Sequence, residues 1–125
     1  MKAKILIVDD EVSTTKLMQG FLQKKGYQIQ IKHDPEEALQ LANEEEFDLV
    51  ITDMTMPKMT GAELAREILA IRPDAAVILC SGYSELISAE KAKAMGISSY
   101  VMKPVTKSEL SRAVRKVLDA KREIP

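Results

Sequence analysis

Tryptophan is absent from this chain, and cysteine and histidine occur once each. The lone cysteine, Cys80, excludes an internal disulfide and suits a reducing, cytosolic setting; at the end of an apolar run it reads as a small hydrophobe. The lone histidine, His33, has no second histidine with which to share a metal and reads as an exposed bystander. An excess of one charge is lacking too. With 18 Lys and Arg against 19 Asp and Glu, the formal net charge is -1, and nothing global points to nucleic acid or an acidic surface. Long apolar runs are also missing. Ile5-Leu6-Ile7-Val8 ends at Asp9-Asp10-Glu11, too short for a signal-peptide core or a membrane span. No repeat, linker or low-complexity segment interrupts the chain. The reading is one soluble, cytoplasmic domain over residues 1–125.

What is there is an alternation. Ile5 to Val8 is a continuous aliphatic run, as for a strand buried on both faces. From Ser13 to Lys25, the residues Leu17, Met18, Phe21 and Leu22 recur at helical spacing, and Gly26 is a natural stop. Tyr27 to Lys32 alternates like an edge strand. Asp34 can cap a helix with Pro35 at its first position and Glu37 completing a capping box; Ala38, Leu39, Leu41 and Ala42 point inward.

Leu49 to Thr52 is the third strand, and a Met56-Pro57 turn with Gly61 leads to a helix from about Ala62 to Ile71, stopped by Arg72-Pro73. Val77 to Cys80, a helix from Glu85 to Met95 ended by Gly96, and a short strand Tyr100 to Met102 follow. Thr106 and Glu109 open a last helix through Leu118. Five strand–helix units in strict alternation mean an α/β domain with a mostly parallel sheet and right-handed crossovers.

In such a sheet ligands bind outside the carboxyl ends of the strands. Those ends carry Asp9, Asp10 and Glu11, then Asp53, then Ser81, then Lys103-Pro104. Carboxylates packed together repel and need a compensating cation. Lys103 can supply one charge, and the surplus of oxygen ligands suits Mg²⁺, which takes one or two carboxylates together with waters and phosphate oxygens. Such a site brings phosphate next to a carboxylate nucleophile. An FMN binder would need a phosphate cradle after strand one, where this chain has three acids.

The residues Ile5 to Glu11, Asp53-Met54-Thr55-Met56-Pro57 with Gly61, Ser81-Gly82-Tyr83 and Lys103-Pro104 resemble the response-regulator receiver domain of two-component signalling systems. The resemblance runs from about Lys4 to about Leu118, and four pieces in order at strand ends are far more specific than any one. It implies a flavodoxin-like, doubly wound five-stranded parallel sheet in the order 2-1-3-4-5 with five helices. It implies Asp53 as phosphoacceptor and additional Mg²⁺ ligand, Asp10 as a direct ligand, Asp9 as a ligand acting mainly through water, and the Thr55 carbonyl as the last protein ligand. Lys103 and Ser81 would bond phosphoryl oxygens. Ser81 and Tyr100 would switch a surface made of helix four, strand five and helix five. Thr55 and Tyr83 would tune phosphoryl lifetime, bulky Tyr83 hindering water, and the Lys103–Pro104 bond resembles the family's cis peptide.

The family further implies a histidine kinase or phosphotransfer domain upstream, and an output domain or protein downstream. It leaves open a homodimer through helices four and five. The chemistry would be self-phosphorylation and dephosphorylation only, a switch rather than a turnover enzyme. The segment around Asp53 and the basic last helix are similar to the terminal receiver of a hybrid sensor histidine kinase. Lys107, Arg112, Arg115, Lys116, Lys121 and Arg122 make that helix basic, which reads as a solvated or docking face rather than a nucleic-acid site. Two other classes fit the sequence less well. A phosphohydrolase resembling the haloacid dehalogenases would place its nucleophile after the first strand and carry a second acid two residues on, where Thr55 stands. A pseudo-receiver adaptor would have no need of the full set Asp9, Asp10, Asp53, Ser81 and Lys103.

Overall fold

The computed structural model describes residues 3–82 and 89–123. The strands are β1 (Lys4–Val8), β2 (Gln28–Lys32), β3 (Leu49–Asp53), β4 (Ala76–Ser81) and β5 (Ser99–Met102). Between and after them lie α1 (Val12–Gln23), α2 (Pro35–Glu44), α3 (Gly61–Ile71), the six-residue α4 (Ala89–Ala94) and α5 (Lys107–Glu123). The sheet order is β2-β1-β3-β4-β5, and every neighbouring pair is parallel. Each crossover returns the chain to the same end of the sheet, so all five carboxyl ends share one edge.

Alternation along the strands builds two cores. Ile5, Ile7, Ile51 and Ile78 pack on one face with Met18 and Leu22 of α1 and Leu110 and Val114 of α5. Leu6, Val8, Val50 and Leu79 pack on the other with Ala38 and Ala42 of α2 and Leu64 and Ile68 of α3. β1, β3 and β4 are covered on both faces, which is why they read as unbroken apolar runs; β2 is a half-buried edge. Each fully buried aliphatic side chain contributes about 1.5–3 kcal/mol relative to exposure.

Local signals set the helix ends. Gly26 takes φ 93°, a left-handed position beyond α1 that a side chain would strain. Asp34 accepts from the Glu36 N–H at 2.8 Å, with Pro35 at the first helical position; the bond expected back from Glu37 does not form. A full capping box sits instead at α3, where Thr60 and Glu63 exchange bonds of 3.1 and 3.0 Å. At α5 the Thr106 hydroxyl accepts from the Glu109 N–H and donates to its carboxylate, both at 3.1 Å.

Two further expectations change. α5 runs beyond Leu118 to Glu123. Leu17 faces outward and is 60% exposed, because Thr15, Met18 and Leu22 take the inward stripe of α1. The first part of the expected fourth helix, residues 85–88, lies outside the described residues.

Candidate functional site

The strand register brings the chemistry together. β1, β3 and β4 lie side by side in the sheet; Asp9 follows the first, Asp53 ends the second and Ser81 ends the third. Lys103 follows β5, its N–H bonded to the Ser81 carbonyl at 2.9 Å. Asp9, Asp53 and Ser81 are only 1%, 4% and 1% exposed, whereas Asp10 faces solvent. One carboxylate oxygen from each of Asp9, Asp10 and Asp53 lies within 4.8 Å of the others.

Burying acids this way is costly unless charge is compensated. Lys103 Nζ forms an ion pair with Asp53 Oδ1. Partial burial works against the Lys103 ammonium, but the bond to Asp53 and the charges of Asp53 and Asp9 outweigh it and raise its pKa. Asp9 is pushed up to about 6, first by burial and then by repulsion from Asp53, against the opposing bond from the Glu11 N–H at 3.0 Å. Its Oδ2 is buried without a hydrogen-bond partner. Oxygen donors in this spacing, one of them buried and unsatisfied, fit a hard divalent cation such as Mg²⁺.

Around this cluster the loops differ in how they are held. Thr55, two residues past Asp53, is exposed. Gly61 is where α3 meets the β3 end: its N–H bonds the Met54 carbonyl at 2.8 Å, and a Cβ would fall 2.2 Å from the Asp53 carbonyl oxygen. Only glycine permits that approach. The resemblance named Gly61 without this reason. Lys58 takes φ 75° in the same turn and pairs with Asp34 at 2.9 Å.

The remaining site residues also have places. Ser81 Oγ donates to the Gly82 carbonyl at 3.2 Å. Tyr100 is half-buried on β5, packed against the core shared with α2 and α3. The Lys103–Pro104 bond is cis. Tyr83 lies outside the described residues. Burial pushes the Cys80 thiol up to about 12, as suits an inert core residue. His33 was set aside from the sequence, yet its Nδ1 lies 2.9 Å from the Asp9 carbonyl, a contact that only the β1–β2 pairing creates.

Lys103 also borders a cavity of about 550 Å³ between α1 and the segment after β5, with Glu11, Thr14, Leu17, Met18, Phe21, Pro104 and Val105. Exposed Leu17 gives it an apolar rim. No helix among the described residues is long and apolar enough to cross a membrane.

Comparison with known proteins agrees with this arrangement. The family model for the response regulator receiver domain matches residues 5–115. The transcriptional regulatory protein ZraR of Escherichia coli K12 is 32% identical over 114 residues, covering 91% of this chain and 26% of that protein. The chain thus spans about a quarter of that relative. A response regulator receiver domain protein from Clostridium thermocellum superposes with a TM-score of 0.91 at 35% identity, over 98% of this chain and 99% of that one. A CheY-like receiver domain protein from Methanospirillum hungatei JF-1 also reaches 0.91, at 29% identity over 100% of both chains. A match extending from the first strand into the last helix takes in every acidic strand end described above, and the chain belongs to the response regulator receiver domain family, the phosphorylation-dependent switches of two-component signalling.

Proposed function

We propose that Asp53 accepts a phosphoryl group from a phosphohistidine donor. The observation that carries this reading is the placement of a buried Asp53 between Lys103 and the carboxylates of Asp9 and Asp10. An oxygen of Asp53 bonds to phosphorus, the P–N bond to the donor imidazole breaks, and its electron pair stays on the ring nitrogen. Lys103 moves from Asp53 to a phosphoryl oxygen, and the Ser81 hydroxyl donates to another. Asp10, Asp9, Asp53 and the Thr55 carbonyl would hold Mg²⁺, which supplies positive charge against the phosphoryl oxygens when bound. The chain acts on itself and releases phosphate by hydrolysis; it is a switch rather than a turnover enzyme.

The readout runs through Ser81 and Tyr100. As Ser81 turns toward the phosphoryl group, Tyr100 moves inward and re-forms the surface of α4, β5 and α5 for a linked output domain or separate protein. The apolar rim at Leu17 beside Lys103 suits the donor, because whatever delivers the phosphoryl group must approach that mouth.

Intact mass after incubation with Mg²⁺ and a small acyl phosphate tests the acceptor. One adduct is expected, dependent on Mg²⁺ and absent in Asp53→Asn. An adduct that persists in Asp53→Asn would move the acceptor elsewhere. No adduct from either an acyl phosphate or a phosphorylated histidine domain would leave an adaptor that never takes phosphate.

A further inference from the structure

Away from the acidic edge, α5 faces the turn between α1 and β2 across a second cavity, of about 480 Å³. Its walls are Lys25, Tyr27, Ser111, Arg112, Arg115 and Lys116: four cations and no acid. Arg112, Arg115 and Lys116 share one side of the helix because they stand three and four positions apart. Lys25 comes from the other side, two residues past the end of α1.

Compensation within the protein is thin. Among the described residues Lys25, Arg112 and Lys116 form no ion pair, and Arg115 reaches Asp119 only at 3.9 Å. The Arg112 guanidinium makes two 3.4 Å contacts with Ser108. A second observation is independent of charge: Ser111 Oγ is buried and has no hydrogen-bond partner. An unmet buried hydroxyl costs about 1–3 kcal/mol, and this one belongs to the cavity wall.

We propose that this cavity binds a small multivalent oxyanion, bearing phosphate or carboxylate groups, at a site separate from Asp53. The donor set dictates the class. Arginine forks bond either group in pairs, lysines add point charges, and the Tyr27 hydroxyl can donate a further bond. The volume falls within the roughly 300–1,000 Å³ of small-molecule sites. The basic patch is also local: Glu109 stands with Arg112 and Lys116 along the neighbouring cavity beside β5, and Asp119 flanks Arg115. Among the described residues these acids interrupt any long track for nucleic acid.

Pyrophosphate and citrate, titrated separately into the metal-free chain at constant ionic strength and followed by amide NMR shifts, test this site. Without a divalent cation the acidic edge repels both probes. Saturable shifts centred on residues 25, 27 and 111–116 are expected. Affinity should weaken about tenfold or more in the Lys25→Gln, Arg115→Gln double variant, whose thermal midpoint should stay that of the wild type. Tighter pyrophosphate indicates a phosphate-bearing ligand, tighter citrate a carboxylate. Non-saturating shifts scattered over all lysines and arginines, or equal affinity in a folded double variant, overturn the proposal.

Discussion

At the carboxyl edge of the sheet, Asp9 and Asp53 carry like charges in near-complete burial; on α5, Arg112, Arg115 and Lys116 carry like charges in solvent. The same Coulomb repulsion acts in both places, but water screens it on the helix and cannot at the sheet edge. The acidic edge therefore shows a strongly raised pKa, a tight Lys103–Asp53 pair and an unsatisfied oxygen on Asp9. Burial stores that imbalance at the sheet edge, and an exposed patch cannot hold it.

The largest effect expected at the acidic edge comes from backbone rather than charge. Gly61→Ala forces a methyl against the Asp53 carbonyl and Leu79 Cδ1, with 2.2 and 2.8 Å available, and should cost about 3 kcal/mol or more. Urea unfolding measures it, and a loss below about 1 kcal/mol would mean that the β3–α3 junction yields easily.

Next comes the pH dependence. Asp9 titrates at about 6 when folded against 3.8 ordinarily, so its contribution to stability is fully present below pH 3.8 and lost as pH rises through 6. For the metal-free chain that loss is about 3 kcal/mol at most. Asp9→Asn should flatten the slope of the urea midpoint between pH 4 and 7, and Mg²⁺ should stabilise the wild type more at pH 7 than at pH 5. A slope unchanged in Asp9→Asn would show that the imbalance lies elsewhere.

A smaller effect concerns delivery. Leu17→Glu puts a charge on the apolar rim, and phosphoryl transfer from a phosphorylated histidine domain should slow about tenfold, or ~1.4 kcal/mol. Labelling by a small acyl phosphate should be untouched; equal slowing of both would place the fault in the site itself. The smallest change belongs to the basic face. Lys116→Gln should alter stability by no more than about 0.5 kcal/mol, because solvent already screens that charge. A loss comparable with the effect at Asp9 would erase the contrast between the two regions.

Much of this was legible in the chain. Unbroken runs such as Ile5 to Val8 announce strands covered on both faces, and alternation with helical stretches dictates a parallel sheet. Because parallel strands end at one edge, the sequence alone groups Asp9, Asp53, Ser81 and Lys103. The Thr60–Glu63 capping box stands in the chain as Thr-x-x-Glu, with Gly61, a poor helix former, at the first helical position.

Leu17 was misplaced for a different reason. Helical spacing gives a stripe, but which edge of the stripe faces the core depends on how α1 rolls against β1 and α5. Sequence by itself determined the elements, their parallel order and the acidic edge, since these follow from local periodicity and from where strands must end. Tertiary structure decided the contacts between distant residues: Lys103 on Asp53, His33 on the Asp9 carbonyl, the bare approach at Gly61 and the cations gathered from α5 and the turn after α1. Distances across elements depend on packing, and packing is a property of all the side chains at once.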